Sequence, residues 1–127
     1  MTVVVTAAVI ERDGRFLITR RLEGTHLEGL WEFPGGKCTD GESLENCLRR
    51  ELTEELGADA IVGKLIYETS FAYPGRTMKL HFFSGTLIGE PRPMIGQEMQ
   101  WVHRDELKLL QFPPADDELI RLLQTVC

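Results

Sequence analysis

The sequence predicts an α/β (α+β) fold, a sandwich in which a mixed β-sheet lies between helices. Segments of strand length, rich in β-branched and apolar residues, recur along the chain between turn residues such as Asp-Gly and Pro-Gly. One central segment and one segment near the C-terminal end carry leucines at helical spacing instead. The length of 127 residues suits one hydrophobic core, so we expect residues 1–127 to form a single domain.

Composition and charge narrow the classes of ligand. The net charge of -6 disfavours binding to a nucleic-acid polymer, because such proteins neutralise many phosphates with Lys and Arg. Small phosphorylated ligands are a different case, since a bound divalent metal reverses the local field. The chain has no long apolar run and no basic-then-apolar leader. We therefore expect a cytoplasmic protein with no membrane partner.

The cysteines Cys38, Cys47 and Cys127 are odd in number and spaced for neither a disulfide framework nor a zinc site. We expect free thiols in a reducing compartment. A nucleophilic role for Cys38 is disfavoured, because no His lies nearby in the sequence to activate it.

The N-terminal third predicts a β-hairpin. Thr2 to Ile10 has the composition of a buried strand, Asp13-Gly14 suits a turn, and Phe16 to Arg21 suits a second strand. Arg20 and Arg21 end this strand together. Their guanidinium groups suit either an anionic ligand or surface salt bridges.

The next segment predicts a short strand, a glycine turn and a long helix. Leu30 to Phe33 enters a Pro-Gly-Gly turn, whose glycines permit positive φ and close approach to a ligand. Ser43 is the expected N-cap of a helix that continues to Leu56 and ends at Gly57. The apolar stripe that docks this helix on a sheet consists of Leu44, Leu48, Leu52 and Leu56.

The second half predicts three more strands and two helices. Ala60 to Tyr73 and Thr77 to Leu87 are strand-like, with a Pro-Gly turn between them, and Met99 to Val102 is a short strand. His103 to Leu107 opens a short helix, and an amphipathic terminal helix follows Asp116. The expected buried side of the terminal helix consists of Leu119, Ile120, Leu122 and Leu123.

The central helix carries an acidic cluster. Glu51, Glu54 and Glu55 stand at i, i+3 and i+4, and Glu51 and Glu55 point only about 40° apart at 3.6 residues per turn. Like charges at this spacing destabilise a helix, so they are either solvated or bind a cation. Mg²⁺ and Mn²⁺ prefer such oxygen ligands and leave positions for substrate phosphates.

The segment from Gly36 to Ala58 resembles the Nudix box, which specifies nine positions at fixed spacing. The matching residues are Gly36, Glu42, Arg50, Glu51, Leu52, Glu54, Glu55, Gly57 and Ala58. The resemblance implies a Nudix-type α/β/α sandwich with a mixed sheet between helices. It also implies metal-dependent hydrolysis of a diphosphate linkage.

The resemblance assigns roles to residues of the box. It implies Glu51, Glu54 and Glu55 as ligands of Mg²⁺ or Mn²⁺, with the carbonyl of Gly36 completing the coordination. One glutamate, for which we choose Glu54, also serves as the catalytic base. Arg50 orients the cluster by pairing with Glu54 at i, i+4. Glu42 supplies a supporting ionic contact or an outer metal contact.

The flanking segments ITRR, the His26 loop, WEFPGGK and FPPAD resemble the MutT-like branch of the family. Its members cleave nucleoside triphosphates to a monophosphate and pyrophosphate. The resemblance implies that Arg21 contacts the nucleotide, Phe33 lines the base pocket and Asp116 reads the base edge. Lys37 either meets a phosphate or is an exposed lysine.

Two departures leave the substrate and the base open. Bacterial members specific for oxidised guanine carry Asn at the position of Asp116, whereas related pyrimidine-triphosphate hydrolases carry Asp. An additional Glu is often found where this chain has Ile95, and Glu98 is the nearest substitute as a catalytic residue.

The leading hypothesis is a nucleoside triphosphate diphosphatase that removes 8-oxo-dGTP from the nucleotide pool. The alternative in the same class is a CTP or dCTP pyrophosphohydrolase, including one that accepts modified cytosine. The alternative of another class is a Nudix module that binds nucleotides without turnover. Sugar-nucleotide or dinucleotide hydrolysis is less favoured, and the sequence predicts no oligomeric state.

Overall fold

The computed structural model describes residues 1–25 and 27–125. The strands are β1 (Thr2–Arg12), β2 (Arg15–Arg20), β3 (Trp31–Glu32), β4 (Gly35–Lys37), β5 (Asp59–Tyr73), β6 (Arg76–Ile88) and β7 (Met99–His103). The helices are α1 (Leu44–Leu56), α2 (Asp117–Thr125) and two 3₁₀ helices, Arg104–Leu109 and Pro114–Asp116. His26 and Cys127 lie outside the described residues.

The sheet is mixed, and β1 is its central strand. The order across the sheet is β3-β2-β1-β6-β5, with β4 added to β1 and β7 added to β2. β1 runs parallel to β6 from Thr2 to Ile10 and antiparallel to β4. The predicted hairpin of β1 and β2 is present, but these strands pair only beside their turn, at Glu11 and Arg12.

Successive residues of β1 point to opposite faces of the sheet, and each face carries its own core. Ala7 and Val9 belong to the core that contains the buried leucines of α2, whereas Ala8 and Ile10 belong to the core beneath α1. One layer of helix therefore covers each face of the sheet. The predicted α/β/α sandwich with a mixed sheet is confirmed.

Helix α1 has the predicted termini. The Ser43 hydroxyl accepts a hydrogen bond from the backbone N–H of Asn46 at 3.1 Å, and Gly57 closes the helix at φ 64°. Leu48, Leu52 and Leu56 are fully buried, which fixes the rotation of α1 on the sheet. The acidic cluster lies along the edge of this buried stripe, where Glu51 and Glu55 are only partly exposed.

The predicted Pro-Gly-Gly turn is wrong in part, because Gly35 to Lys37 form β4 and pair with β1. Gly35 is needed here since a Cβ at this position would collide with the backbone carbonyl of Thr6.

The predicted burial of Leu122 in the terminal helix is also wrong. Its side chain is 40% exposed, because it lies beyond the edge of the face formed by Leu119 and Leu123.

The expectation of free thiols is wrong for two of the cysteines, since Cys38 and Cys47 form a disulfide. Pairing of β4 with β1 brings the chain after β4 back beside the start of α1. The two Cα atoms consequently lie 5.3 Å apart, within bonding range for their side chains.

No helix within the described ranges is both long and apolar enough to cross a membrane.

Candidate active site

The three glutamates predicted as metal ligands differ in exposure along the edge of α1. The side chain of Glu51 is 14% exposed, that of Glu54 is 56% exposed, and Glu55 is half-buried. Strand β4 packs against this edge so closely that a Cβ at Gly36 would collide with the Glu51 carboxylate. The backbone N–H of Gly35 donates to Glu55. Glycine residues of β4 and carboxylates of α1 therefore form one surface.

Arg50 connects the acidic residues to one another. Its Nε and Nη2 donate to the two carboxylate oxygens of Glu42 at 2.7 and 3.0 Å. Its Nη1 donates to Glu51 at 2.9 Å and to Glu54 at 3.2 Å. The predicted pairing with Glu54 and the predicted ionic contact of Glu42 are confirmed as contacts.

Arg50 also reaches β4, where its Nη2 donates to the carbonyl oxygen of Lys37 at 3.0 Å. Its hydrogen bonds to Glu42 lower the pKa of that carboxyl to about 2. The same carboxylates raise the pKa of Arg50. This guanidinium therefore stays charged and holds α1, the loop before it and β4 in one arrangement.

The remaining negative charge in the cluster is poorly compensated. Burial, together with the neighbouring carboxylates of Glu32 and Glu51, raises the pKa of Glu55 to about 8. Burial likewise raises the pKa of Glu51. A divalent cation would remove this penalty, and carboxylates beside a backbone carbonyl are the oxygen donors that Mg²⁺ and Ca²⁺ select. The residues present thus fit a divalent metal site.

A cavity adjoins this edge, and it brings together the four residues predicted to bind substrate. Arg21, Phe33, Lys37 and Asp116 all line it, and it extends to Gly36. Phe33 is 3% exposed and is held by stacking on Phe112 at 5.6 Å between ring centroids. The cavity is therefore apolar at Phe33 and charged near β4.

Asp116 is the buried acid of this cavity. It is 4% exposed at the end of the Pro114–Asp116 3₁₀ helix. Burial, the Glu32 carboxylate and the Asp117 carboxylate raise its pKa to about 7. Protonated and ionised forms of Asp116 are therefore both accessible near neutral pH.

Sequence reasoning missed the contribution of the β5–β6 hairpin to this cavity. Tyr73, Arg76 and Met78 line it, and the Arg76 guanidinium lies 5.9 Å from the centroid of the Tyr73 ring. The alternation of Arg76, Met78, Leu80 and Phe82 along β6 was a usable signal, because residues at i+2 share one face of a strand.

A second, smaller cavity lies on the metal side and is lined by Glu55, Ile95 and Gln97, among others. Arg21 and Glu32 line both cavities, and among the described lining residues they alone do so. Sequence reasoning also missed Glu32. A strand as short as β3 offers little periodicity from which its orientation could be read.

Glu98 is not brought into the glutamate cluster. Its carboxylate pairs with Arg20 at 3.3 Å, and its side chain is 59% exposed. It is absent from the described lining of both cavities. A catalytic role for Glu98 stays a prediction.

The fold and the site together define a metal-dependent α/β-sandwich hydrolase that acts on phosphoanhydride bonds. A family model described as the NUDIX domain matches residues 5–122. The chain belongs to the Nudix hydrolase family, and its relatives lie in the MutT-like part of that family.

Two relatives of known name cover most of the chain. One is the 8-oxo-dGTP diphosphatase of Haemophilus influenzae, which is 40% identical over 121 residues, or 94% of this chain and 89% of the relative. The other is the CTP pyrophosphohydrolase of Escherichia coli, which is 40% identical over 123 residues, or 91% of this chain and 87% of the relative. The two names correspond to different nucleobases.

Solved structures agree with the fold. The Escherichia coli ORF135 protein has a TM-score of 0.85 at 36% identity, covering 94% of this chain and 86% of that one. The MutT protein of Methanosarcina mazei has a TM-score of 0.86 at 24% identity, covering 96% and 92%. At the lower identity the likeness concerns the fold alone.

Proposed function

We propose that this chain is a Mg²⁺-dependent nucleoside triphosphate diphosphatase that releases a monophosphate and pyrophosphate, with 8-oxo-dGTP as its preferred substrate. The substrates of such an enzyme are small nucleotides, and we propose the cytoplasm as its location. One observation supports this base: Asp116, the acid of the base cavity, is buried and has a pKa of about 7, so its protonated form is populated at neutral pH.

A protonated carboxyl both donates and accepts a hydrogen bond, whereas an ionised one only accepts. Guanine presents two acceptors, O6 and N7, on its major-groove edge. Oxidation at C8 converts N7 into an N–H donor, so this edge then offers one acceptor and one donor. Protonated Asp116 matches that pattern, as an asparagine amide would, and discriminates against unmodified guanine.

The second candidate is CTP or dCTP hydrolysis, including modified cytosine. Ionised Asp116 accepts from the exocyclic amine of cytosine, and one relative at 40% identity bears the name CTP pyrophosphohydrolase. The two candidates differ by a single proton on one side chain. A third candidate is a module that binds nucleotides without hydrolysing them. It is disfavoured because binding alone does not require the complete set of glutamates.

In the proposed mechanism, Glu51, Glu54, Glu55 and the Gly36 carbonyl would hold the metal ion. When bound, the ion supplies charge neutralisation and Lewis acidity to the phosphoanhydride. Glu54 is the most exposed carboxylate of the three and accepts a proton from the attacking water. Arg50 keeps Glu51 and Glu54 oriented through its two hydrogen bonds from Nη1.

The other residues bind the nucleotide. Arg21 and Lys37 contact the phosphate chain between the cavity and the metal edge, and Phe33 forms an apolar wall for the base. Because α1 and β4 are linked through Arg50, substrate and carboxylates keep a fixed relative position. Positioning of this kind is the main contribution of a protein to phosphoryl chemistry.

The test is a panel of nucleotides incubated with Mg²⁺ and scored for pyrophosphate release. It contains 8-oxo-dGTP, dGTP, CTP, dCTP and a dinucleotide. The expected result is the highest kcat/KM for 8-oxo-dGTP at neutral pH. Turnover confined to cytosine nucleotides would overturn the guanine assignment, and binding without any turnover would establish the non-catalytic alternative.

A further inference from the structure

Arg21 and Glu32 form the boundary between the base cavity and the metal-side cavity. Both residues line both cavities. A nucleotide whose base lies beside Phe33 and whose phosphates reach Glu55 must pass this pair. The role of Arg21 in binding phosphate is part of the proposed function, but Glu32 has no role there.

The backbone fixes the position of both residues. The N–H of Arg21 donates to the carbonyl of Leu30 at 2.8 Å, and its carbonyl accepts from Gly29 at 3.1 Å. Glu32 lies between Trp31 and Phe33, which are both buried in the core. Its side chain therefore points away from theirs, toward Arg21.

The two side chains form an ion pair at the boundary. Arg21 Nη1 lies 3.5 Å from Glu32 Oε2, with side chains 33% and 27% exposed. An arginine side chain loses rotamer entropy when it is fixed on a ligand. A carboxylate that already restrains the guanidinium reduces the entropy lost when phosphate binds.

A carboxylate at position 32 is electrostatically unfavourable, so its presence calls for a compensating role such as the restraint of Arg21. Glu32 stands close enough to Glu55 and to Asp116 to disfavour the ionised form of each. It would also repel the phosphate chain, and a neutral Gln of the same shape would do neither. A requirement for a strong, charged partner of Arg21 accounts for an acid here.

We propose that Glu32 is a positioning residue, whose carboxylate holds the Arg21 guanidinium at the boundary of the two cavities so that it meets the phosphate chain of a bound nucleotide. This inference rests on the proposed nucleotide substrate. Glu32 acts before chemistry begins and affects the ground state and the transition state alike. Its removal therefore raises KM and leaves kcat nearly unchanged.

The experiment is a double-mutant cycle with Glu32→Gln, Arg21→Gln and the double variant. For each protein, KM and kcat are measured with the best nucleotide of the panel, and Kd is measured calorimetrically for a nucleoside monophosphate with Mg²⁺. We expect Glu32→Gln to raise KM and Kd about tenfold, a typical coupling for residues in contact. In the Arg21→Gln background it should cause no further rise in KM or Kd, because the guanidinium that it positions is absent.

The matched control is Glu11→Gln, which removes a carboxylate paired with Arg104 at 3.3 Å and absent from the described cavity linings. It should leave KM and Kd unchanged. A melting temperature of Glu32→Gln equal to that of the unmodified protein separates positioning from loss of structure.

The outcomes distinguish this inference from the proposed function. Additive effects in the cycle, or a Glu32→Gln protein with unchanged or lower KM and Kd, overturn the role of Glu32 while hydrolysis stands. Nucleotide binding with the expected coupling but without turnover overturns hydrolysis and leaves the role of Glu32 intact. Absence of any nucleotide binding overturns both.

Discussion

At the scale of the residue, Asp116 illustrates how burial changes what one side chain recognises. An exposed aspartate is ionised at neutral pH and accepts hydrogen bonds only. Asp116 is 4% exposed and faces further negative charge from Glu32 on β3 and from Asp117, and Tyr73 on β5 also interacts with it. These surroundings shift its pKa to about 7, where a small change in pH changes its hydrogen-bonding pattern.

The base preference should therefore depend on pH. Below pH 7 Asp116 is mostly protonated and suits oxidised guanine, and above pH 7 it is mostly ionised and suits cytosine. We expect the ratio of kcat/KM for 8-oxo-dGTP to that for CTP to fall about tenfold or more from pH 6 to pH 8. Effects of pH on metal binding and on the attacking water are common to both substrates, so they cancel in the ratio of the two kcat/KM values.

Asp116→Asn is the control for this prediction, because an amide does not titrate in this range. Its ratio should stay high and independent of pH. A pH-dependent ratio in Asp116→Asn, equal to that of the unmodified protein, would show that another group is responsible.

The exposed carboxylate of Glu54 gives a second prediction at this scale. Glu54→Gln should lower kcat by about 10²-fold or more, because it removes a proton acceptor and an oxygen ligand. The melting temperature should change little, since the side chain is 56% exposed and contributes nothing to the core. Glu45→Gln, an exposed position in the first turn of the same helix, serves as the control. An unchanged kcat for Glu54→Gln would exclude this residue from the reaction.

At the scale of the element, β4 and α1 behave as one unit. The backbone N–H of Cys38 donates to Val4 on β1, Arg50 on α1 donates to the Lys37 carbonyl, and Cys38 is bonded to Cys47 on α1. The last two of these links hold the glycine backbone of β4 against the carboxylates of α1. The metal site is formed between two elements and depends on how they are joined.

Reduction of the Cys38–Cys47 disulfide should destabilise this unit. The bond closes a loop with a sequence separation of 9 residues, for which chain entropy gives about 2–3 kcal/mol. For a protein of this size we expect a dithiol to lower the melting temperature by about 10 °C. In Cys38→Ser the dithiol should have no effect, and in Cys127→Ser its effect should be preserved. If the dithiol left the melting temperature of the unmodified protein unchanged, the prediction would be contradicted.

Local patterns predicted the elements better than their contacts. The caps and leucine stripe of α1 were visible because they depend on residues a few positions apart. The pairing of β4 with β1 and the bond between Cys38 and Cys47 depend on residues far apart in sequence, and no local pattern encodes them. The Nudix box likewise predicted the glutamates of α1. The position of Glu32 beside the cavities was not predictable from the sequence, because it depends on where β3 pairs with β2.

At the scale of the whole molecule, the raised carboxyl pKa values concentrate at the acidic edge of α1 and in the two cavities beside it. They belong to Glu32, Glu51, Glu55 and Asp116. For each of them the folded protein binds a proton more tightly than the unfolded chain does. Stability therefore falls as pH rises from about 4.5 to about 8, the window set by Glu55. The melting temperature of the metal-free protein should consequently fall as pH rises across this range.

Magnesium should reverse that loss, and its effect should grow with pH. The ion binds the folded state alone and competes with protons for Glu51 and Glu55, so it stabilises the protein more at pH 8 than at pH 6. At a concentration of about 100 Kd the stabilisation is about 2.7 kcal/mol. Melting curves with chelator and with Mg²⁺ at both pH values, without nucleotide, measure it. Glu51→Gln should lose most of the Mg²⁺ response and Glu45→Gln should keep it, whereas an equal response in both variants would place the ion elsewhere.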